Sequence, residues 1–429
     1  MHHGLLSRTY QKSDVWRGKS RLCQTQVVRT GELFDLLRDG EPWTRAQLAE
    51  ATGLARSTIT ARIDTLMRLG LVAPFGGARS TGGRPPALFA LNPTAKLVLG
   101  VDIGATHASA ALTDLNGSIL GEVDAHLLVT EGPDAVLGWV IDSARELMAA
   151  SGRPLADLAA IGIGLPGPVE HSSGRPMNPP IMPGWDRYDV PGHLQKVYPV
   201  PILVDNDVNI MALGERRAYL SDVADLILIK VATGIGAGIV SGGQLQRGAQ
   251  GTAGDLGHVR VPGAGDVTCR CGNTGCLEAI AAGPALAAAV RSLGESAEDG
   301  GDVVDLVRAG SQVAMSTVRQ AGRDIGEVVA TMVNLINPSV VVIGGQMAGA
   351  GEHLLAGIRE SVYQRSLPLA TEHLRIVPSR AGSRAAVLGA SALAIAHVLS
   401  PEAVEAASEA LALLPDPAPR MVGVIVAAT

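Results

Sequence analysis

Apolar positions along the first hundred residues recur at helical spacing, and the breaks between them mark three short helices. Leu33, Leu36 and Leu37 share one face, and Asp39-Gly40-Glu41-Pro42 ends that helix. Thr44 with Gln47 three residues on forms a capping box, which opens a second helix over Arg45 to Ala51 that stops at Thr52-Gly53. Ile59, Ile63 and Leu66 follow at i, i+4 and i+7, and Gly70 closes the third helix. Leu71-Val72 then begins a β-ribbon whose tip, Gly76 to Pro86, is rich in Gly and Pro and carries Arg79 and Arg84. Residues 1–26 show no periodicity and read as a flexible arm, which leaves 27–92 as the first folded domain.

Past Asn92-Pro93 the pattern changes to apolar runs that end in glycine turns. Leu97 to Ile103 runs into Asp102-Ile103-Gly104-Ala105-Thr106, and a second and third strand flank an Asn116-Gly117 hairpin turn. The arrangement returns later: Leu226 to Val231 leads into Thr233-Gly234-Ile235-Gly236-Ala237-Gly238, then Ile239-Val240 and a Gly242-Gly243 turn. Two such units predict a duplicated α/β fold over residues 93–399 with a cleft between two lobes. Residues 400–429, rich in Ala and Pro, read as a C-terminal tail, a helix followed by a loose end.

Charge sharpens the division. Up to residue 95 there are 13 Lys and Arg against 7 Asp and Glu; beyond it there are 22 against 34, for a net charge of −6 overall. A basic head on an acidic body points to nucleic acid as a partner of the first domain. Helix, Gly-containing turn and a helix opening Arg56-Ser57-Thr58-x-Thr60-x-Arg62 form the pattern of a helix-turn-helix, with the ribbon as its wing. Arg reaches guanine O6 and N7, Ser and Thr hydroxyls serve bases or phosphates, and an Arg at a wing tip suits the negative potential of a minor groove. The plainer alternative is a three-helix interaction module with a solvated basic face. No apolar run reaches the roughly 20 residues of a membrane span, and the expected location is the cytoplasm.

The body carries three kinds of candidate chemistry. Glycines at strand ends let backbone N–H groups approach a phosphate, so Asp102, Gly104, Thr106, Thr233, Gly234 and Gly236 are candidate nucleotide-binding residues, and Gly344 and Gly345 offer bare backbone to a nucleotide base or ribose, with a plain turn as the alternative for each loop. His258, Cys269, Cys271 and Cys276 offer one imidazole and three thiolates, the donor set of a structural tetrahedral Zn²⁺, against reduced unmetallated cysteines. Asp207 follows the apolar Pro201 to Val204 strand and suits either a general base for a sugar hydroxyl, a hydroxyl acceptor in a binding site, or the N-cap of a helix starting near Val208.

Taken in order, these segments resemble the ROK family of sugar-responsive repressors and sugar kinases. The likeness runs from about Lys96 to Ala394 and includes Asp102 to Thr106, Gly162 to Val169, Asn206-Asp207-Val208-Asn209, Thr233 to Gly238, and Gly254 to His258 through Glu278. It implies an actin-like (ribonuclease H-like) two-lobed sugar-kinase fold behind the winged helix-turn-helix. By the same resemblance Gly167, Asn178, Asn206, Asp207, Asp255, His258 and Glu278 would bind sugar, with His258 using one ring nitrogen for Zn²⁺ and the other for the sugar. Two positions depart from the family's kinases, which usually have Gly where Ala105 stands and Glu where Asp255 stands. The implied function is a sugar-responsive DNA-binding regulator, a repressor of carbohydrate-metabolism genes, acting as a homodimer or dimer of dimers on a double-stranded operator. The alternative is an ATP- and Mg²⁺-dependent kinase of hexoses or N-acetylhexosamines with Asp207 as its catalytic base. A third is a zinc-stabilised partner-binding protein with a vestigial cleft.

Overall fold

A computed structural model describes residues 29–77 and 87–413. Within it the chain divides into two compact units, one made of the N-terminal residues to Asn92 with those from Leu399 onward, the other spanning Pro93–Val398. Arg79 and Arg84 lie outside the described residues.

In the first unit the helices Thr30–Asp35, Arg45–Thr52 and Arg56–Arg68 pack through Leu33, Phe34, Leu48, Ile59, Ile63 and Leu66, all fully buried. The second helix opens with the expected capping box, Thr44 Oγ1 accepting the Gln47 N–H and Gln47 Oε1 accepting that of Thr44, and ends at Gly53 with φ 72°. Three strands, β1 (Trp43–Thr44), β2 (Val72–Gly77) and β3 (Ala87–Leu91), form an antiparallel sheet in the order β1-β3-β2, and the β2/β3 ribbon is the wing.

The stretch from Pro401 to Ala412 forms a helix that belongs to this unit. It is capped by Ser400, whose hydroxyl accepts the Ala403 N–H, and it buries Val404 and Ser408. Glu405 Oε2 accepts the Gly31 N–H at 2.9 Å, and the approach is so close that a Cβ on Gly31 would overlap the Pro401 carbonyl. The far end of the sequence thus completes the core of the near end.

The second unit contains two five-stranded sheets of matching construction. Strands β4 (Leu97–Ile103), β5 (Ala108–Asp114) and β6 (Ile119–Ala125) form an antiparallel meander, and β7 (Leu158–Leu165) and β10 (Ile202–Asn206) add in parallel on the β4 side. A short hairpin of β8 (Val169–Glu170) and β9 (Arg175–Pro176) lies between them in sequence. Strands β11 (Leu226–Val231), β12 (Ile235–Ser241) and β13 (Gln244–Leu245) repeat the meander, with β14 (Val340–Gly344) and β15 (Arg375–Pro378) parallel beside β11. The orders β10-β7-β4-β5-β6 and β15-β14-β11-β12-β13 are the same walk taken twice. β4, β7, β11 and β14 are buried almost throughout, as central strands covered on both faces must be.

Helices Asp207–Tyr219 and Ala385–Val398 cross at glycines: a Cβ on Gly214 would strike the Ala385 carbonyl, and one on Gly389 the carbonyl of Ile210. Nothing larger than Gly allows this contact of backbones. It holds the helix that follows β10 at the base of the cleft.

Candidate functional site

The recognition helix, Arg56–Arg68, turns Ile59, Ile63 and Leu66 into the core, so the alternate face presents Arg56, Ser57 and Thr60 to solvent, with Thr58 and Arg62 half-buried. Its N-cap, Ala55, supplies no side-chain acceptor, so the first-turn N–H groups stay open to an anion beside two exposed polar side chains. The Thr60 hydroxyl donates to the Arg56 carbonyl at 2.9 Å. Arg45 stacks over Phe89 at 4.3 Å and pairs with Asp64, linking the preceding helix to both the sheet and this one.

In the second unit a cavity of about 790 Å³ opens between the two sheets. Asp102, Thr106, Gly167, Asn206, Asp207, Thr233, Gly234, Gly236, Asp255, His258, Glu278, Gly344 and Gly345, drawn from segments up to 243 residues apart in sequence, all line it. Two expected contributors do not. Gly104 is covered by the His107 ring, which stands where a Cβ would go, and Asn178 is exposed, with φ 45° and its N–H donated to Asp186.

Local geometry refines the expected roles. The helix after β10 starts at Asp207 itself, and its cap is Asn206, whose Oδ1 accepts the Val208 N–H at 3.0 Å. Asp207 is therefore not a capping residue. The Asn206 amide nitrogen donates to the Gly167 carbonyl at 2.8 Å, so this side chain ties two walls of the cavity together. The segment Thr233 to Gly238 is a tight hairpin, with the Ala232 N–H on the Gly234 carbonyl, and most of it belongs to β12. Gly238 there serves packing, since a Cβ would overlap Ala212 and the Val208 carbonyl. Glu278 Oε2 accepts the Ile235 N–H at 3.1 Å, fastening the cysteine segment to this hairpin.

Several polar residues at the cleft were invisible to motif reading. Lys230 donates to Asp207 Oδ2 at 2.5 Å. Burial works against its ammonium, but the carboxylates of Asp207 and Asp102 outweigh it and the Lys230 pKa is raised. His107 lies with Nε2 3.4 Å from Asp102 Oδ2, and that hydrogen bond raises its pKa against the opposing effect of burial. Buried Asp205 accepts from Arg247 at 2.7 Å and from Asn209 at 2.8 Å, with His171 Nδ1 3.7 Å away. Burial first, then Arg247, lowers the His171 pKa. The one sequence signal for Lys230 is its isolation: a lone charge in the strand Leu226–Val231 must find a partner.

His258, Cys269, Cys271 and Cys276 converge, their ligand atoms all within 4.8 Å of one another. Cys269 Sγ is 3.5 Å from His258 Nδ1, and Cys271 Sγ is 3.7 Å from Cys276 Sγ. With metal–sulfur bonds of about 2.3 Å and metal–nitrogen bonds of about 2.1 Å, a tetrahedron has edges near these lengths. Burial, then the neighbouring thiols, push Cys276 up to about 12, whereas the Asn273 N–H lowers Cys271. Three thiols this close ionise together only around a cation, so the donor set fits a metal. The other ring nitrogen of His258, Nε2, stands 4.0 Å from Asp255 Oδ1 on the cavity wall.

A family profile described as the ROK family matches residues 98–397, and one described as the IclR helix-turn-helix domain matches residues 26–74. The chain is 32% identical over 382 residues to a putative xylose repressor of a Caldicellulosiruptor species, covering 86% of this chain and 95% of that protein. Among solved structures, it superposes with TM-score 0.76 and 27% identity on a ROK family transcriptional regulator described as a homolog of the E. coli MLC protein, over 88% of this chain and 98% of that one. A ROK family glucokinase from Streptomyces griseus, in complex with glucose and AMPPNP, aligns with TM-score 0.58 and 29% identity over 70% of this chain and 99% of its own.

Proposed function

The chain belongs to the ROK family, and on that premise we propose that it is a sugar-responsive DNA-binding transcriptional regulator, a repressor of carbohydrate-metabolism genes. The observation that carries the reading is the presence, in one chain, of a recognition helix with an open N-terminus and a cavity, large enough to admit a sugar, lined by polar donors and acceptors. The named similarity to a xylose repressor along nearly its whole length supports it, because the kinase-like part alone would match kinases equally.

In this reading residues 27–92, completed by the helix Pro401–Ala412, read an operator through Arg56, Ser57, Thr58, Thr60 and Arg62, with Arg79 and Arg84 as further basic contacts. Residues 93–399 hold the effector sugar through Asp207, Asp255, Glu278 and His258 Nε2, with Asn206 positioning the Gly167 wall. Zinc is the metal of the His258, Cys269, Cys271 and Cys276 cluster, and with four protein donors its contribution is structural: it fixes the His258 ring so that Nε2 is aimed at a sugar hydroxyl. The protein acts as a homodimer, since a two-fold operator asks for two recognition helices at fixed spacing, and a ligand that favours one spacing biases binding.

The test is binding to DNA from upstream of the protein's own gene, at fixed salt, across a panel of sugars and sugar phosphates. One sugar shifting the affinity is the expected result. DNA binding indifferent to every sugar overturns the sensing half of the proposal, and no specific DNA binding overturns the other half.

A further inference from the structure

Lys230 puts a positive charge into the cavity between the two sheets. It projects from β11 in one sheet, and its Nζ meets Asp207 Oδ2 at the head of the helix that follows β10 in the other sheet. Asp102, at the end of β4, lines the same cavity, and its charge also acts on the ammonium. Asp102 and Asp207 are both buried, at 6% and 7% exposure, and the two acids together balance more than one positive charge. On its far side Asp102 is met by the His107 ring. Two acids in such a cleft, one at a strand end and one at a helix start, are hard oxygen donors, the kind that hold a divalent cation against a polyphosphate. Here one of their four carboxylate oxygens already accepts from an ammonium belonging to the chain.

We infer that Lys230 is a resident cation that takes the place of a divalent metal between Asp102 and Asp207. A second, doubly charged ion would enter against the repulsion of the ammonium, and binding Asp207 through both oxygens would displace a 2.5 Å charge-assisted hydrogen bond. Among the described residues none donates to Asp207 Oδ1, which is left to accept a sugar hydroxyl, so the cleft binds sugar with no divalent ion bound there. The absence of that ion removes the electrostatic clamp that phosphoryl transfer needs. The residue thereby separates recognition of the sugar from chemistry on it. The inference rests on reading the cleft as a sugar site, but it is tested without sugar or DNA.

The experiment titrates Mn²⁺ into full-length, zinc-loaded protein and follows free Mn²⁺ by electron paramagnetic resonance. The wild-type protein, and Asp207→Asn beside it, are expected to show the same weak background. Lys230→Met is expected to gain one Mn²⁺ site at least about ten-fold tighter than that background, and Lys230→Met with Asp207→Asn is expected to lose it. A wild-type Mn²⁺ site abolished by Asp207→Asn overturns the inference, and that comparison needs no change at Lys230. A folded Lys230→Met protein, checked by its thermal unfolding, that gains no Mn²⁺ also overturns it; Lys230→Gln replaces it if Lys230→Met does not fold. Failure here leaves the sugar-dependent DNA experiment standing, and failure there leaves this one standing.

Discussion

His107, which lines the cavity, and His171, beside Asp205, are displaced in opposite directions. Asp102 accepts from His107 and raises its pKa, so the charged ring is favoured in the fold; the stability this adds is full below about pH 6.5, the unfolded value, and is lost as pH rises through the folded value. Burial, with Arg247 nearby, lowers that of His171, so its contribution is present above about pH 6.5 and is lost as pH falls through the folded value. In a proton NMR titration His107 is expected to titrate above the ordinary histidine value and His171 below it. Asp102→Asn should bring His107 down and leave His171 in place; two midpoints unmoved by the substitution would contradict the assignment. Neither residue stands out in the sequence, because each is perturbed by a partner that only the fold brings near: Asp102 across the β4/β5 turn, and Arg247 from a loop 76 residues away.

At the scale of elements, the recognition helix and the cysteine segment make separate predictions. Arg56 is exposed at the open start of its helix, so Arg56→Ala is expected to weaken specific operator binding by about 1–3 kcal/mol if it reads a base, measured against a non-specific duplex at the same salt. Equal loss on both duplexes would make it a phosphate contact. The cysteine segment holds the cavity wall at two points, through His258 and through Glu278 on the Ile235 N–H. Stripping the metal, or Cys276→Ser, is expected to cut sugar affinity about 10–100-fold by calorimetry while the first unit still binds DNA. Unchanged sugar affinity would separate the metal from the sugar site. Both elements were legible in the chain because their signals are local: a capping box three residues wide, an i, i+4, i+7 face, and three cysteines within eight residues. The Thr233 to Gly238 stretch was less legible, since a glycine that admits a phosphate and one that admits a helix look alike in sequence, and Gly238 is the second kind.

At the scale of the molecule, the first unit is closed by residues more than three hundred positions from the rest of it. Ending the chain at Leu399 removes the Glu405 acceptor from the Gly31 N–H and the cover over the Thr30–Asp35 helix. Such a truncation is expected to lower the unfolding temperature of the first unit and weaken DNA binding, with sugar binding by the second unit kept. Thermal unfolding followed in parallel with both ligands checks this, and an unshifted DNA-binding unit would show the helix to be dispensable. Gly31→Ala tests the same contact with one methyl group, and it should destabilise through overlap with the Pro401 carbonyl.

What the sequence determined by itself were the features written in short-range spacing: the winged helix-turn-helix, the duplicated strand and turn units, the cluster of one His and three Cys, and the order of segments that marks the family. Periodicity and capping act over a few residues, and a single chain displays them directly. Only the tertiary structure decided which side chains meet across the cleft. It gave the helix cap to Asn206 and left Asp207 to Lys230, turned Asn178 outward, and brought the helix Pro401–Ala412 back to the beginning of the chain. Those outcomes depend on where burial leaves a charge without water, and a charge so placed takes whatever partner the packing of distant elements supplies.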